Sequence, residues 1–246
     1  MKKQNKLALA IALALATGSL PIAAAQSVTD FQDAEYYKST GLDLINAAEA
    51  YAAGYTGRGV TLGINDEPIN FLSPEFSSKK DKDMKNLTNM VGYPMGVYDW
   101  SSLEHGTHVG GIAAASRNGI GMQGVAYEAE IAGTAGGLNY TRAGSFSDKS
   151  DLYDYYLTHP EIKVINNSWG GRSYLDLMGI STEVYQQFGE YYFQDSLKSS
   201  YAQIVAAAKQ DKLLVFAAGN DGHDTPSLEP LLGYWDDAAA KNILNV

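Results

Sequence analysis

The chain contains no cysteine, so no disulfide holds any part of it together. It is also poor in positive charge: 18 Lys and Arg stand against 28 Asp and Glu, a formal net charge of −10. That balance opposes nucleic-acid binding and favours solubility. No apolar run reaches the ~20 residues a membrane-spanning helix needs. The four histidines, His105, His108, His159 and His223, form no Glu-flanked zinc pattern. There is no EF-hand loop. Gly133 to Gly137 is not followed by Gly-Lys-Ser/Thr, which excludes a phosphate loop. The missing Gly-x-Ser-x-Gly elbow argues against a lipase-like α/β-hydrolase. No internal repeat or low-complexity tract is present. No cofactor is expected; the acidic residues Asp221, Asp224, Asp236 and Asp237 leave only structural calcium open.

What is there begins at the N terminus. Met1 to Lys6 is basic, Leu7 to Leu15 is apolar, and Ala23-Ala24-Ala25 offers small residues for cleavage. This is the grammar of a secretory signal peptide over residues 1–25. Its removal takes away three lysines and no acid, leaving a net charge of −13. The remaining residues, 26–246, fit one α/β domain.

Gln26 to Tyr37 reads as an extended, polar and aromatic arm. Thr40-Gly41-Leu42-Asp43 reads as a capping box, with Asp43 near the positive end of the helix dipole. Leu42, Ile45, Ala48 and Ala52 then recur at helical spacing up to Gly54. Val60 to Ile64, Glu130 to Thr134, Ile162 to Asn166 and Leu213 to Ala217 are short apolar runs, hence buried strands. Ile243 to Val246 reads as a further strand, cut off at its end. Leu197, Tyr201, Ile204, Val205 and Ala208 mark one face of a helix. The lysine-rich stretch Ser77 to Asn89 reads as a solvated loop, and Tyr174 to Asp195 is longer than a usual connection. Alternating helices and buried strands predict a parallel sheet covered by helices on both faces.

Three element ends carry chemistry. Gly57 to Asp66 is a strand ending on an acid. His105-Gly106-Thr107-His108-Val109-Gly110-Gly111 puts a histidine at the mouth of an Ala/Gly-rich helix, His105 to Ala115. Leu214 to Gly222 is a strand ending on Asn220. Open parallel sheets bind ligands beyond the carboxyl ends of their strands, so Asp66, Ser168 and Asn220 are expected in one crevice. A histidine base needs a carboxylate on its second nitrogen, which Asp66 can supply. Gly110 and Gly111 are expected to bring the helix close to the sheet. His108 lies within the same helix and is the weaker candidate for the base.

Acid, histidine and amide in this order resemble the subtilisin-like serine proteases, the subtilases. Several further runs carry the likeness. Ser73-Pro74-Glu75-Phe76 stands where the family often has His-Pro-Asp-Leu, and Gly124-Val125-Ala126 and Ala129-Glu130-Ile131 match the run after the histidine helix. Asn166-Asn167-Ser168-Trp169-Gly170-Gly171 resembles the segment that pairs with extended substrate. The opening, Ser39 to Val60, is similar to the passenger domains of autotransporter subtilases. The resemblance implies a three-layer α/β sandwich, C-terminally incomplete, and polypeptide substrates cleaved by acyl transfer. Asp66 is then the orienting acid, His105 the base and Asn220 an oxyanion donor, while Asn167, Ser168, Trp169 and Gly170 bind substrate. Two departures stand out. Glu67-Pro68 follow Asp66 where the family has Ser or Thr and then Gly, and Asn65 is polar at a usually apolar position. The Gly-Thr-Ser-like run of the nucleophilic serine is absent before Val246, and Ser168, Ser173 and Ser227 lie outside any such motif. This chain alone is therefore expected to be inactive. The mature chain is not expected to insert stably into a membrane, and the alternatives for its function are a non-catalytic peptide-binding surface module and a pseudogene product.

Overall fold

The computed structural model describes residues 26–66, 69–79, 104–135, 150–169, 198–220 and 236–246. Residues 1–25, expected above to be a signal peptide, and Glu67-Pro68, Gly170, Ser173, Tyr174 to Asp195, Asp221, His223, Asp224 and Ser227 lie outside that set.

Five strands form one sheet: β1 (Thr61–Asp66), β2 (Glu130–Ala135), β3 (Ile162–Asn167), β4 (Leu213–Phe216) and β5 (Ile243–Asn245), in the order β2-β1-β3-β4-β5. Every neighbouring pair is parallel. The strands are the short apolar runs of the sequence, shifted by a residue or two at their ends. Between β1 and β2 lies α4 (Glu104–Ala114); the later connections carry α5 (Ser150–Thr158), α6 (Lys198–Lys209) and α7 (Asp237–Ala240).

The strand order fixes the layers. The step from β1 to β2 runs one way across the sheet, and every later step runs the other way. Right-handed crossovers then put α4 on one face and α5 to α7 on the opposite face. The packing agrees. Ile64, Ile131 and Ala114 cluster with Ile69 and Phe76 on the α4 face. Tyr153 and Tyr156 of α5 and Ile204, Ala207 and Ala208 of α6 cluster with Ile162, Ile165, Leu214 and Phe216 on the other. The expected three-layer α/β architecture is present. Gly63 lets α5 settle onto β1: a Cβ there would stand 2.8 Å from Tyr156 Cε1 and 3.0 Å from Ile165 Cγ1.

Residues 26–56 differ from the sequence reading. Gln26 to Tyr37 is not an extended arm. It holds a 3₁₀ turn, Val28–Asp30, and a helix, α1 (Ala34–Lys38), because Phe31 and Tyr36 are buried in a cluster of their own. The expected single helix is two, α2 (Gly41–Leu44) and α3 (Ala47–Ala52), broken at Asn46 in a left-handed conformation, φ 54°. The break turns Ile45 outward, while Leu42 and Ala48 stay inside. Thr40 makes no side-chain cap hydrogen bond, so the capping box does not form. The unit is fastened to the segment that follows α4. Glu35 accepts from Asn118 N at 3.0 Å and Gly119 N at 2.8 Å, Arg117 pairs with Asp33 at 2.7 Å, and Tyr51 Oη donates to Val125 O at 2.8 Å.

Two smaller expectations also fail. Gly110 and Gly111 do not face the strands; their missing Cβ atoms make room for Ile69 and Phe76 of the segment after β1 and for Met122. Lys79, at the start of the stretch read as solvated, is buried, and its Nζ donates to Tyr127 O at 2.9 Å and Ala129 O at 2.6 Å. At the end of the chain Asp236, one of the acids left open for calcium, caps α7: it accepts from Ala238 N and Ala239 N and pairs with Lys209.

Candidate active site

The connection leaving β3 runs one way across the sheet, to β4, and the connection leaving its neighbour β1 runs the other way, to β2. The crevice beyond their carboxyl ends is the switch point of the sheet, where such folds bind ligands. Asp66 is the last residue of β1 and is 2% exposed. α4 brings His105 over it from the second position of the helix. His105 Nδ1 lies 2.6 Å from Asp66 Oδ1, and the imidazole is 54% exposed. Thr107 in the same helical turn accepts from Asn70 N at 2.8 Å, pinning the segment after β1 to the helix start. A carboxylate on Nδ1 holds the proton there, which gives Nε2 the basic lone pair. Such an arrangement can serve as a general base.

Asn167 ends β3 and is fully buried. Its carboxamide donates to Ile165 O and Val215 O and accepts from Tyr153 Oη at 2.7 Å. Ser168 follows, its hydroxyl accepting from Asn166 Nδ2 at 2.8 Å. Trp169 turns back over the edge, where its indole N–H donates to Asn65 O at 2.8 Å and its ring meets Phe216 edge-on. Asn220 lies past β4 at the same edge and is exposed, just after Gly219 with φ +101°. The structure thus joins Asp66 and His105 directly and sets Asn167 to Trp169 beside them. His108 is exposed one turn further along α4. His159 stacks on Tyr155 with ring centroids 3.9 Å apart.

The sequence reading missed a row of polar side chains behind the acid. Thr134, Asn65 and Asn167 are register partners across β2, β1 and β3. Asn65 was visible as a polar residue in an apolar run; its partners carried no signal, because pairing across strands cannot be read from one of them. Among the described residues no group of three or more His, Asp or Glu is placed to hold a metal ion.

The model of the subtilase family matches residues 57–246. The chain is 32% identical over 248 aligned positions to an extracellular serine protease of Serratia marcescens, covering 89% of this chain and 23% of that protein. It is 42% identical over 97 positions to neuroendocrine convertase 2 of Bos taurus, covering 38% of this chain and 15% of that one. The chain therefore spans a quarter or less of the relatives it matches. Among solved structures, fervidolysin of Fervidobacterium pennivorans, a keratinolytic enzyme related to subtilisin, superposes with a TM-score of 0.53 at 19% identity, covering 83% of this chain and 28% of that one. That likeness shows the fold.

Proposed function

The chain belongs to the subtilase family, and we propose that it carries the acid and the base of an exported serine endopeptidase. The observation that bears this reading is the 2.6 Å contact of His105 Nδ1 with the buried Asp66 at the switch point of the sheet. In the proposed reaction a serine hydroxyl attacks the scissile carbonyl. His105 Nε2 takes its proton and returns it to the leaving amine, while Asp66 stabilises the imidazolium. Asn220 donates to the oxyanion, a contribution of about 2.7–4 kcal/mol in subtilisin itself. Asn167, Ser168, Trp169 and Gly170 hold extended polypeptide alongside.

The 246 residues contain no Gly-Thr-Ser run. We therefore expect this chain alone neither to cleave peptides nor to react with a serine-directed phosphonate. A version extended by a subtilase serine segment should do both, and His105→Ala in that version should abolish labelling. Labelling of the unextended chain at Ser168, Ser173 or Ser227 would contradict the proposal. The missing run also favours a second reading of the chain taken alone, peptide binding without turnover at the edge after β3. Saturable binding of an uncleaved peptide that survives His105→Ala would support it.

Export is proposed from residues 1–25, and the extracellular description of the Serratia relative supports it. Among the described residues no helix is long and apolar enough to cross a membrane. An autotransporter-type passenger remains the proposed subtype, from the run Ser39 to Val60. N-terminal sequencing of secreted protein should find a start near Gln26; a secreted protein still beginning at Met1 would refute the leader.

A further inference from the structure

Successive side chains of a strand point to opposite faces, so the residue before Asp66 lies against α5 rather than α4. That residue is Asn65, and it is fully buried. Its Nδ2 donates to Asn167 Oδ1 at 2.9 Å, and its Oδ1 accepts from Thr134 Oγ1 at 3.2 Å. Thr134 in turn shares a 2.7 Å hydrogen bond with Tyr156 Oη, and Tyr153 Oη donates to Asn167 Oδ1 at 2.7 Å. The main-chain carbonyl of Asn65 accepts from the Trp169 indole. One residue therefore bonds sideways to β2 and β3, and to the run that follows β3.

An apolar residue would fill the same space, as the rest of this core does. Burying a carboxamide gains little net stability over that, since its hydrogen bonds replace those to water. Its directional bonds do something packing cannot: they fix the end of β1 in one rotation relative to β2 and β3. Asp66 is the next residue on that strand, so such a rotation decides where its carboxylate stands. We propose that Asn65 is a positioning residue, whose carboxamide bridge from Thr134 to Asn167 holds Asp66 against His105 and in line with the substrate-pairing run. The inference rests on the reading of His105 as the base that Asp66 orients.

The test uses the 246-residue chain and the imidazole resonances of its histidines. In the unaltered chain His105 should show a low-field, slowly exchanging Nδ1 proton. Asp66→Asn should remove that signal and raise the acid constant of His105 about tenfold or more, as loss of an adjacent opposite charge does. Asn65→Val should change the constant in the same direction by about threefold and broaden the signal, with His159 as an unaffected reference. Val is a clean replacement, because Asn167 Oδ1 keeps Tyr153 and Thr134 keeps Tyr156. If Asn65→Val does not fold, Thr134→Val serves, removing one arm of the bridge without changing volume. Unchanged His105 titration and Nδ1 signal in the folded variant, at whatever stability, would overturn the positioning role. An unchanged His105 in Asp66→Asn would instead overturn the base reading itself.

Discussion

The two edges of this sheet are built from opposite charges put to opposite uses. At the carboxyl edge a buried acid faces a half-exposed imidazole across a crevice. At the amino edge two lysines are buried outright. Lys79 Nζ donates to Tyr127 O and Ala129 O just before β2. Lys212 Nζ donates to His159 O at 2.8 Å and Ile162 O at 2.7 Å, at the start of β3. Each ammonium satisfies carbonyls that strand pairing leaves over, and neither is open to a substrate. A charge buried among fixed acceptors secures structure; a charge that accepts a hydrogen bond from an exposed ring can orient that ring for chemistry.

The comparison predicts that the edges fail differently when altered. The largest effect should be at the carboxyl edge. In a serine-bearing, extended protein, Asp66→Asn should lower turnover about 10⁴-fold by releasing the histidine tautomer. The unfolding midpoint should move little. A large loss of stability with turnover nearly intact would place Asp66 with the lysines.

At the amino edge, Lys212→Met should cost about 1–3 kcal/mol, measured by urea unfolding, because two buried carbonyls lose their donor. Turnover of the remaining folded protein should be unchanged.

The amino edge should also respond to alkali. Burial pushes Lys79 down to about 8, against the opposing pull of Glu130 and Glu128. Between that value and the ordinary lysine range, the unfolded chain keeps a proton that the folded chain has released. Folding is then favoured by raising the pH. Stability relative to Lys79→Met should be level below about pH 8 and rise from there to about pH 10. Above pH 10 buried tyrosines act in the opposite sense, since burial raises Tyr51 to about 12. A pH-independent difference would show that Lys79 keeps its proton throughout.

The smallest effect belongs to an exposed pair at the amino edge. Arg58 pairs with Glu128 at 2.7 Å but is exposed. Arg58→Ala should leave the urea unfolding midpoint essentially where it is, because an exposed ion pair is screened by solvent; a clear drop would show that the pair holds the segments together.

Much of this was legible in the sequence, for definite reasons. The strands are short apolar runs, and a parallel sheet buries its strands on both faces, so run and strand coincide. Asp66 and His105 were legible because each sits at an element end in a recognisable order. Other features depend on contacts that one stretch of chain does not encode. Phe31 and Tyr36 lack helical periodicity and are buried only because Tyr51 and Leu42 fold back onto them. Lys79 follows two serines in a lysine-rich stretch, and nothing local shows that two carbonyls of the segment before β2 await it. α5 escaped notice because its buried positions are tyrosines, Tyr153 and Tyr156, whose hydroxyls need the strand residues Asn167 and Thr134.

The central claim is that β1 and α4 converge to make His105, and not its neighbour on the same helix, the base. Parallel substitution of the two histidines in the extended, serine-bearing protein tests this most directly. His105→Ala should lower kcat about 10⁶-fold, the scale seen when the base is removed from subtilisin, and His108→Ala should leave it within about threefold. Comparable losses from both, or a larger loss from His108→Ala, would contradict the account.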